Sequence, residues 1–216
     1  MDAETRRKKK PRAARPRNGD PGVAPTRAAL HEAALAYLAR GAASADSVAR
    51  TLQRRIGNWA RRAARAGRDA EAIAHDAATA RDLIAPIVER LGEVGLVDDA
   101  AFATNRAKRM STSGRSRRAI TAHLAQKGVA SATVREAVGH DAGAELAAAI
   151  AFARKRRLGP FARQDDEPLD RDARRMAERK ALGTMARAGF DFGVCERVLR
   201  MDRDDADARL RDRRDL

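Results

Sequence analysis

Apolar residues recur with helical spacing through residues 91–129, LGEVGLVDDAAFATNRAKRMSTSGRSRRAITAHLAQKGV. Asp98 suits the N-cap of a helix, because its carboxylate can accept hydrogen bonds from the free N–H groups of the first turn. The apolar positions that follow share one side of the helical wheel: Phe102, Ala103, Ala107 and Met110. The pattern therefore predicts a capped helix with one buried side.

A second helix follows in the same stretch. Gly114 ends the first helix and Ser116 can cap the next, which buries Ile120 and Leu124. Gly128 then occupies the C-terminal position that favours a left-handed residue.

Two arginines of this unit, Arg115 and Arg118, point away from the buried stripe of the second helix. We therefore predict a helical unit with an apolar inside and a cationic outside.

The N-terminal third shows the same periodicity. The spacing predicts a helix from Thr26 to Gly41 and a second helix that starts at Ser44 and Asp46. The second apolar stripe contains Val48, Leu52, Ile56 and Trp59. Because Trp59 continues this stripe, we interpret it as a core residue and not as a base-stacking platform.

A third pattern runs through residues 73–91 and contains Pro86, which either kinks one helix or marks the first turn of a new one. Further along, Ser131 is expected to cap a short helix with Val134 and Val138 inward. Additional helices are expected over 141–158, from Asp170 to about 188, and around Cys195, with a loop at 159–169. The tail from Asp202 is predicted to be a frayed helix or disordered.

An internal repeat relates the second half of the chain to itself. The pattern Ile120, Leu124, Gly128, Val129, Val134 and Val138 returns 61 residues later as Ala181, Met185, Gly189, Phe190, Cys195 and Leu199. The first third has the same three-helix content with a looser match. Repetition of one supersecondary unit predicts an all-α, elongated array of tandem three-helix, helix-turn-helix-like repeats.

Composition narrows the class of protein. Hydrophobic residues make up 44% of the 216 residues, but many are alanine and aromatics contribute only 3%, so any core is thin and helical. One cysteine excludes a disulfide framework and suits a reducing cytoplasm. No apolar run approaches the roughly 20 residues of a membrane span.

Net charge points to a polyanionic partner, because the formal charge is +15 and folding alone does not require such an excess. Nucleic acid, or a protein already coated on nucleic acid, fits this excess best, and an anionic membrane surface or an acidic protein are the other options. Residues 1–25 are basic and proline-rich, with nothing apolar to bury, and we expect them to be disordered. This N-terminal arm is either an electrostatic contact for nucleic acid or a solubilising tail.

Residues with catalytic or metal-binding chemistry do not converge in the sequence. The four histidines lie far apart, without Cys or acidic partners at ligand spacing. The acid pair Asp98 and Asp99 includes a helix cap, and the pair Asp165 and Asp166 falls in a predicted loop. We therefore expect no enzyme activity, no cofactor and no metal.

Particular segments of the chain resemble the RecX family of bacterial recombination regulators. The resemblance is most specific in LGEVGLVDDAAFA at 91–103 and GRSRRAITAHLAQKGV at 114–129. ARAGFDFGVCERVL at 186–199 is similar to the family's closing repeat, and the segment at 30–55 is similar to its opening repeat. The stretch 57–85 departs from the family pattern.

This resemblance implies a fold and a function. It implies a tandem array of three-helix repeats that binds the RecA recombinase filament on single-stranded DNA. Family members inhibit ATP hydrolysis and strand exchange, which would modulate recombination, DNA repair and the SOS response. Regulation would then act by occupancy of the filament, in the cytoplasm and without membrane contact. The elongated shape suits a monomer.

The resemblance also implies a basic recombinase and DNA-binding surface in the central repeat. The cations that map to it are Arg106, Lys108, Arg109, Arg115, Arg117, Arg118 and Lys127, joined by Lys155, Arg156 and Arg157. Arg106 and Arg117 lie near the apolar stripes and could instead extend their stems along the core edge. Lys155, Arg156 and Arg157 also favour the C-terminal end of their own helix dipole.

Alternative functions are open from the residues alone. A helix-turn-helix-like protein could bind duplex DNA, with or without sequence specificity, although few Asn or Gln side chains are placed to contact bases. A helical adaptor or a nuclease would be a different class.

The expected organisation has five parts: an N-terminal arm (1–25), a first helical repeat with an extended connector (26–97), a central repeat (98–140), a third repeat (141–201) and a charged C-terminal tail (202–216).

Overall fold

The computed structural model describes residues 22–162 and 170–212, and within these ranges all regular structure is helical. The all-α prediction is confirmed there. The helices are α1 Arg27–Leu38, α2 Ala45–Arg65, α3 Ala70–Asp82, α4 Ile84–Glu93, α5 Asp99–Thr112, α6 Arg117–Gln126, α7 Ser131–Val138, α8 Ala142–Arg156, α9 Arg171–Arg187, α10 Phe192–Leu199 and α11 Arg203–Asp212. Residues 1–21 of the predicted arm and the pair Asp165 and Asp166 lie outside the described residues.

A first cluster of buried side chains is enclosed by helices α1 to α4. Trp59 lies in this cluster with 2% of its surface exposed, so its predicted core role is confirmed. Its indole N–H donates to the carbonyl oxygen of Gly22 over 3.2 Å, and this bond satisfies the only polar atom of the side chain.

Pro86 marks the start of a new helix. Helix α3 ends at Asp82 and α4 begins at Ile84, which places Pro86 in the first turn of α4. Proline is tolerated there because the N–H groups of a first turn have no intrahelical acceptor. The first repeat consequently has four helices, where the sequence indicated three.

A second cluster of buried side chains is enclosed by α5, α6 and α7. Both predicted caps are confirmed, since the Asp98 carboxylate accepts from the N–H of Ala101 and the Ser116 hydroxyl accepts from the N–H of Ala119. The predicted cap at Ser131 is wrong. Ala130 is the N-cap of α7 and Ser131 is the first helical residue, so its hydroxyl makes no capping bond.

A third cluster is enclosed by α8 to α11. Of the two alternatives for the segment after Asp202, a frayed helix or disorder, the structure shows a helix, and this helix α11 packs against α8 instead of fraying. Ala206 is fully buried in this contact, and an ion pair of 3.4 Å joins Arg154 to Asp207. The segment consists mainly of alternating acids and arginines, so the sequence pattern did not indicate that Ala206 faces the core.

The 61-residue repeat is present in the structure. Helices α7 and α10 span equivalent residues of the two copies. Buried positions also correspond, because Ile120, Leu124, Val129 and Val134 are buried, as are Ala181, Met185, Phe190 and Cys195.

The second helices of the three clusters meet end to end. At the first junction, the hydroxyl of Ser44, the N-cap of α2, donates to the carbonyl oxygen of Lys127, the C-cap of α6, over 2.5 Å. At the second junction, the hydroxyl of Ser116, the N-cap of α6, donates to the carbonyl oxygen of Ala188, the C-cap of α9, over 2.7 Å. Each junction therefore satisfies a carbonyl that a helix end leaves without an intrahelical partner.

Each junction contains one more hydrogen bond, which joins the N-terminus of α2 or α6 to a carboxylate of the next cluster. The N–H of Ala45 donates to Asp99 over 2.8 Å, and the N–H of Arg117 donates to Glu145 over 2.9 Å. The negative charges lie at the positive ends of the α2 and α6 dipoles, which is the favourable arrangement. At both junctions, therefore, the N-terminus of one helix meets the C-terminus of the next, in the order α2, α6 and α9, and an N-cap serine donates to a C-cap carbonyl.

Candidate functional site

Four predicted site cations are exposed on the outer side of the central repeat: Lys108, Arg109, Arg115 and Arg118. Within the described parts of the chain, none of them forms an ion pair with a carboxylate. Their positive charges are therefore directed to solvent and are available to an anionic partner.

Arg106 contacts the protein itself. Its Nε–H donates to Nε2 of His123 over 3.1 Å, and both side chains are half-buried between α5 and α6. Burial lowers the pKa of His123, and the nearby charges of Arg106, Lys127 and Arg115 lower it further. The imidazole accordingly stays neutral near pH 7 and acts as the acceptor. This contact matches the alternative in which Arg106 lies along the core edge.

Arg117 is also directed inward, at the second junction. Its Nε lies 3.7 Å from the Glu145 carboxylate that accepts its own backbone N–H. Only 4% of the surface of Glu145 is exposed. Burial raises the pKa of Glu145 and the negative charge of Asp191 adds to this, whereas the hydrogen bond and charge of Arg117 oppose the rise. Arg117 therefore compensates a buried carboxylate, and its charge is not free.

Lys127 and Lys155 lie at contacts between repeats. Lys127 is the C-cap of α6 and supplies the carbonyl of the first junction. The ammonium of Lys155 donates to the carbonyl oxygen of Ser113 at the end of α5, over 2.7 Å. Arg156 lies over the ring of Phe152, 5.8 Å from its centroid, and Arg157 is the left-handed C-cap of α8. These residues are exposed, except for the half-buried Lys127.

A cleft of about 300 Å³ opens between the central and third repeats beside the second junction. Its charged lining comes from both repeats: Arg117, Arg118, Arg135, His140, Glu145 and Asp191. Of the predicted site residues, the fold brings Arg117 and Arg118 to this cleft.

A set of exposed arginines on α2 was missed by the sequence analysis. Residues 47–68 contain seven arginines and no acidic residue. The absence of acids over this length was the signal that could have identified the set. It was obscured because the apolar stripe of α2 already accounted for the helix.

Among the described residues, no group of three or more His, Cys, Asp or Glu side chains is arranged to hold a metal ion. None of the described helices combines the length and apolar character needed to cross a membrane. Cys195 is buried in the third cluster, where burial raises the pKa of its thiol.

Comparison with known proteins gives consistent results. The family model described as "RecX, second three-helix domain" matches residues 98–138. A regulatory protein RecX of Myxococcus xanthus is 36% identical over 173 residues, which cover 79% of this chain and 83% of that protein. A regulatory protein RecX of Mycolicibacterium vanbaalenii is 37% identical over 117 residues, covering 51% of this chain and 59% of that protein.

A solved structure shares the fold. The crystal structure of a regulatory protein RecX superposes with a TM-score of 0.53 at 20% sequence identity, covering 80% of this chain and 72% of that chain.

Proposed function

Because the chain belongs to the RecX family of regulatory proteins, we propose that it regulates recombination by binding RecA filaments on single-stranded DNA. Bound protein would inhibit ATP hydrolysis and strand exchange, and would thereby modulate recombination and DNA repair in the cytoplasm. The mode of action is occupancy of the filament by a monomer, without catalysis.

The observation that supports this proposal is the arrangement of uncompensated cations on the central repeat. Lys108, Arg109, Arg115 and Arg118 are exposed, while Arg106 and Arg117 are occupied by internal partners. Arg118 lies on α6, which is the middle member of the end-to-end series α9, α6 and α2. Such a series offers successive contacts to an extended partner such as a nucleoprotein filament.

The proposal predicts that Arg115 and Arg118 contribute to the contact with the filament. Their positive charges should attract the DNA phosphates or acidic side chains of the filament, and reversal should convert attraction into repulsion. We therefore expect Arg115→Glu with Arg118→Glu to weaken inhibition by tenfold or more, which corresponds to about 1.4 kcal/mol. The measurement is the single-stranded-DNA-dependent ATPase of the cognate RecA, with the regulator added below the RecA concentration.

A matched control is Arg174→Glu with Arg175→Glu, which reverses the same number of charges at exposed positions of α9. It should retain most of the inhibition, and circular dichroism should show equal helicity for both variants. Full inhibition by the Arg115 and Arg118 variant would remove this surface from the proposal. Unchanged ATP hydrolysis by RecA at saturating wild-type protein would refute the proposal that this protein regulates RecA.

A further inference from the structure

Helix α2 carries an unusual concentration of one type of charge. Residues 47–68 contain seven arginines, six of them on α2 and the seventh, Arg68, just after it, with no lysine and no acidic residue in this range. Like charges one turn apart destabilise a helix, as between Arg61 and Arg65. Folding therefore does not account for this composition, and an interaction with an anionic partner does.

Three of these arginines form one line along the helix. The buried residues of α2 are Val48, Leu52, Ile56, Trp59 and Ala63. On the helical wheel, Arg54, Arg61 and Arg65 lie within about 40° of one another and opposite the middle of that buried face. All three are exposed, and their axial separations are about 10 Å and 6 Å. We call these three residues the arginine stripe.

The charges at the two ends of α2 are compensated, whereas those of the arginine stripe are not. Arg50 pairs with Asp46 at the N-terminal end, and Arg68 lies 3.6 Å from Asp76 beyond the C-terminal end. Among the described ion pairs, none includes a residue of the arginine stripe. Arg61 donates to the Asn58 side chain, which is neutral and leaves its charge intact.

Helix α2 begins at the first junction, beside the end of α6. Arg50 also donates to the carbonyl oxygen of Gln126 over 2.6 Å, next to Lys127 at the first junction. The arginine stripe starts at Arg54, about one helical turn after the compensated Arg50, and extends along the first repeat.

We propose that the arginine stripe binds the phosphodiester backbone of single-stranded nucleic acid. Arginine forms paired hydrogen bonds with phosphate oxygens through its planar guanidinium, and a row of arginines matches a row of phosphates. An anionic membrane is a poorer match, because membrane-surface helices expose apolar residues and the large apolar residues of α2 are buried. The inference rests on the nucleic-acid partner of the proposed function and deepens it by assigning a direct contact to α2.

The test measures binding of a fluorescein-labelled oligo-dT by anisotropy over a series of salt concentrations, without RecA. The variant Arg54→Gln with Arg61→Gln and Arg65→Gln keeps good helix formers at all three positions. The slope of log Kobs against log salt is negative, and loss of three phosphate contacts should reduce its magnitude by about 2. The affinity should fall by tenfold or more. The control Arg174→Gln with Arg175→Gln and Arg179→Gln removes the same charge from α9 and should leave the slope close to the wild-type value.

A second variant distinguishes the contribution of positive charge from that of the guanidinium group. Replacing the stripe by lysines retains three positive charges, so the salt slope should remain while the affinity falls to an intermediate value. A wild-type slope in the glutamine variant would overturn the proposal, as would an equal loss of slope in the α9 control. Because the recombinase is absent, a failure of RecA inhibition in the separate ATPase assay does not affect this result.

Discussion

Three polar side chains are buried among the described residues, Ser44, Ser116 and Glu145, and all three lie at the junctions between repeats. Each makes a hydrogen bond to a backbone group of the neighbouring repeat. A buried polar group without a partner costs about 1–3 kcal/mol, so these residues favour the one arrangement that satisfies them. Residue-level chemistry therefore specifies how the repeats are joined.

Glu145 gives the stability a pH dependence. Its carboxyl has a pKa raised above the ordinary 4.5 by burial, so the folded state holds this proton more tightly than the unfolded state. The resulting stabilisation is fully present below 4.5 and is lost as the pH rises through the folded-state pKa. Glutamine keeps the acceptor for the Arg117 N–H but does not ionise. We therefore expect the stability of the wild type relative to Glu145→Gln to fall as the pH rises towards neutrality.

Urea unfolding at a series of pH values, followed by circular dichroism, measures this difference. The other ionisable groups of the cleft, Arg117, Arg118, Arg135, His140 and Asp191, are common to both proteins. Glu136→Gln, which removes an exposed carboxyl from α7, controls for the loss of one charge. If the difference in stability between wild type and Glu145→Gln stays constant with pH, burial does not raise the pKa of Glu145.

The ends of helices determine how closely neighbouring elements can approach. Gly128 follows the C-cap of α6 with φ +74°, and a Cβ atom there would overlap the Asp46 side chain at the start of α2. Gly67 follows α2 with φ +77°, and a Cβ atom there would meet nothing within 4 Å. Both glycines permit a left-handed turn, but only Gly128 also permits a close contact between repeats.

We predict that Gly128→Ala destabilises the protein more than Gly67→Ala. Each substitution carries a backbone cost of about 1–2 kcal/mol for the left-handed conformation. Gly128→Ala adds an overpacking cost of about 1–3 kcal/mol, because α2 must move away from α6. Urea denaturation of the two variants measures the difference, and equal losses of stability would contradict a close approach at the first junction.

At the scale of the whole molecule, we propose that α1–α4, α5–α7 and α8–α11 form three repeats coupled through the two junctions. Trp59 is the only tryptophan and lies in the first repeat, so its fluorescence reports on that repeat alone. Circular dichroism reports on all helices. The two probes therefore distinguish cooperative unfolding from separate unfolding of the repeats.

We expect the two unfolding transitions to coincide in the wild type and to separate in the variant Ser44→Ala with Ser116→Ala. The double variant removes the hydroxyl donor at each junction as well as two helix caps. Thr26→Ala is the control, because Thr26 caps α1 at an exposed position and has no partner in another repeat. Coincident transitions in the double variant would show that these hydroxyls do not couple the repeats.

Local interactions explain what was predictable from the amino-acid sequence. Helix caps at Asp98 and Ser116, the buried stripe through Trp59 and the apolar pattern within each copy of the 61-residue repeat depend on residues close together in sequence, and all were confirmed. The cap at Ser131 was a local error, because short-range patterns did not separate Ser131 from the adjacent Ala130, whereas the packing of α11 against α8 joins residues far apart in sequence. Helical periodicity and capping chemistry by themselves determine an all-α chain of repeated units with a basic exterior.

Long-range contacts were decided only by the tertiary structure. Residues 44 and 127, or 116 and 188, are too distant in sequence for any periodicity to relate them. The same holds for the His123 and Glu145 partners that occupy Arg106 and Arg117, while Arg115 and Arg118 stay exposed. Sequence patterns identify which face of a helix is polar, but the availability of each charge depends on which helix ends meet across the fold.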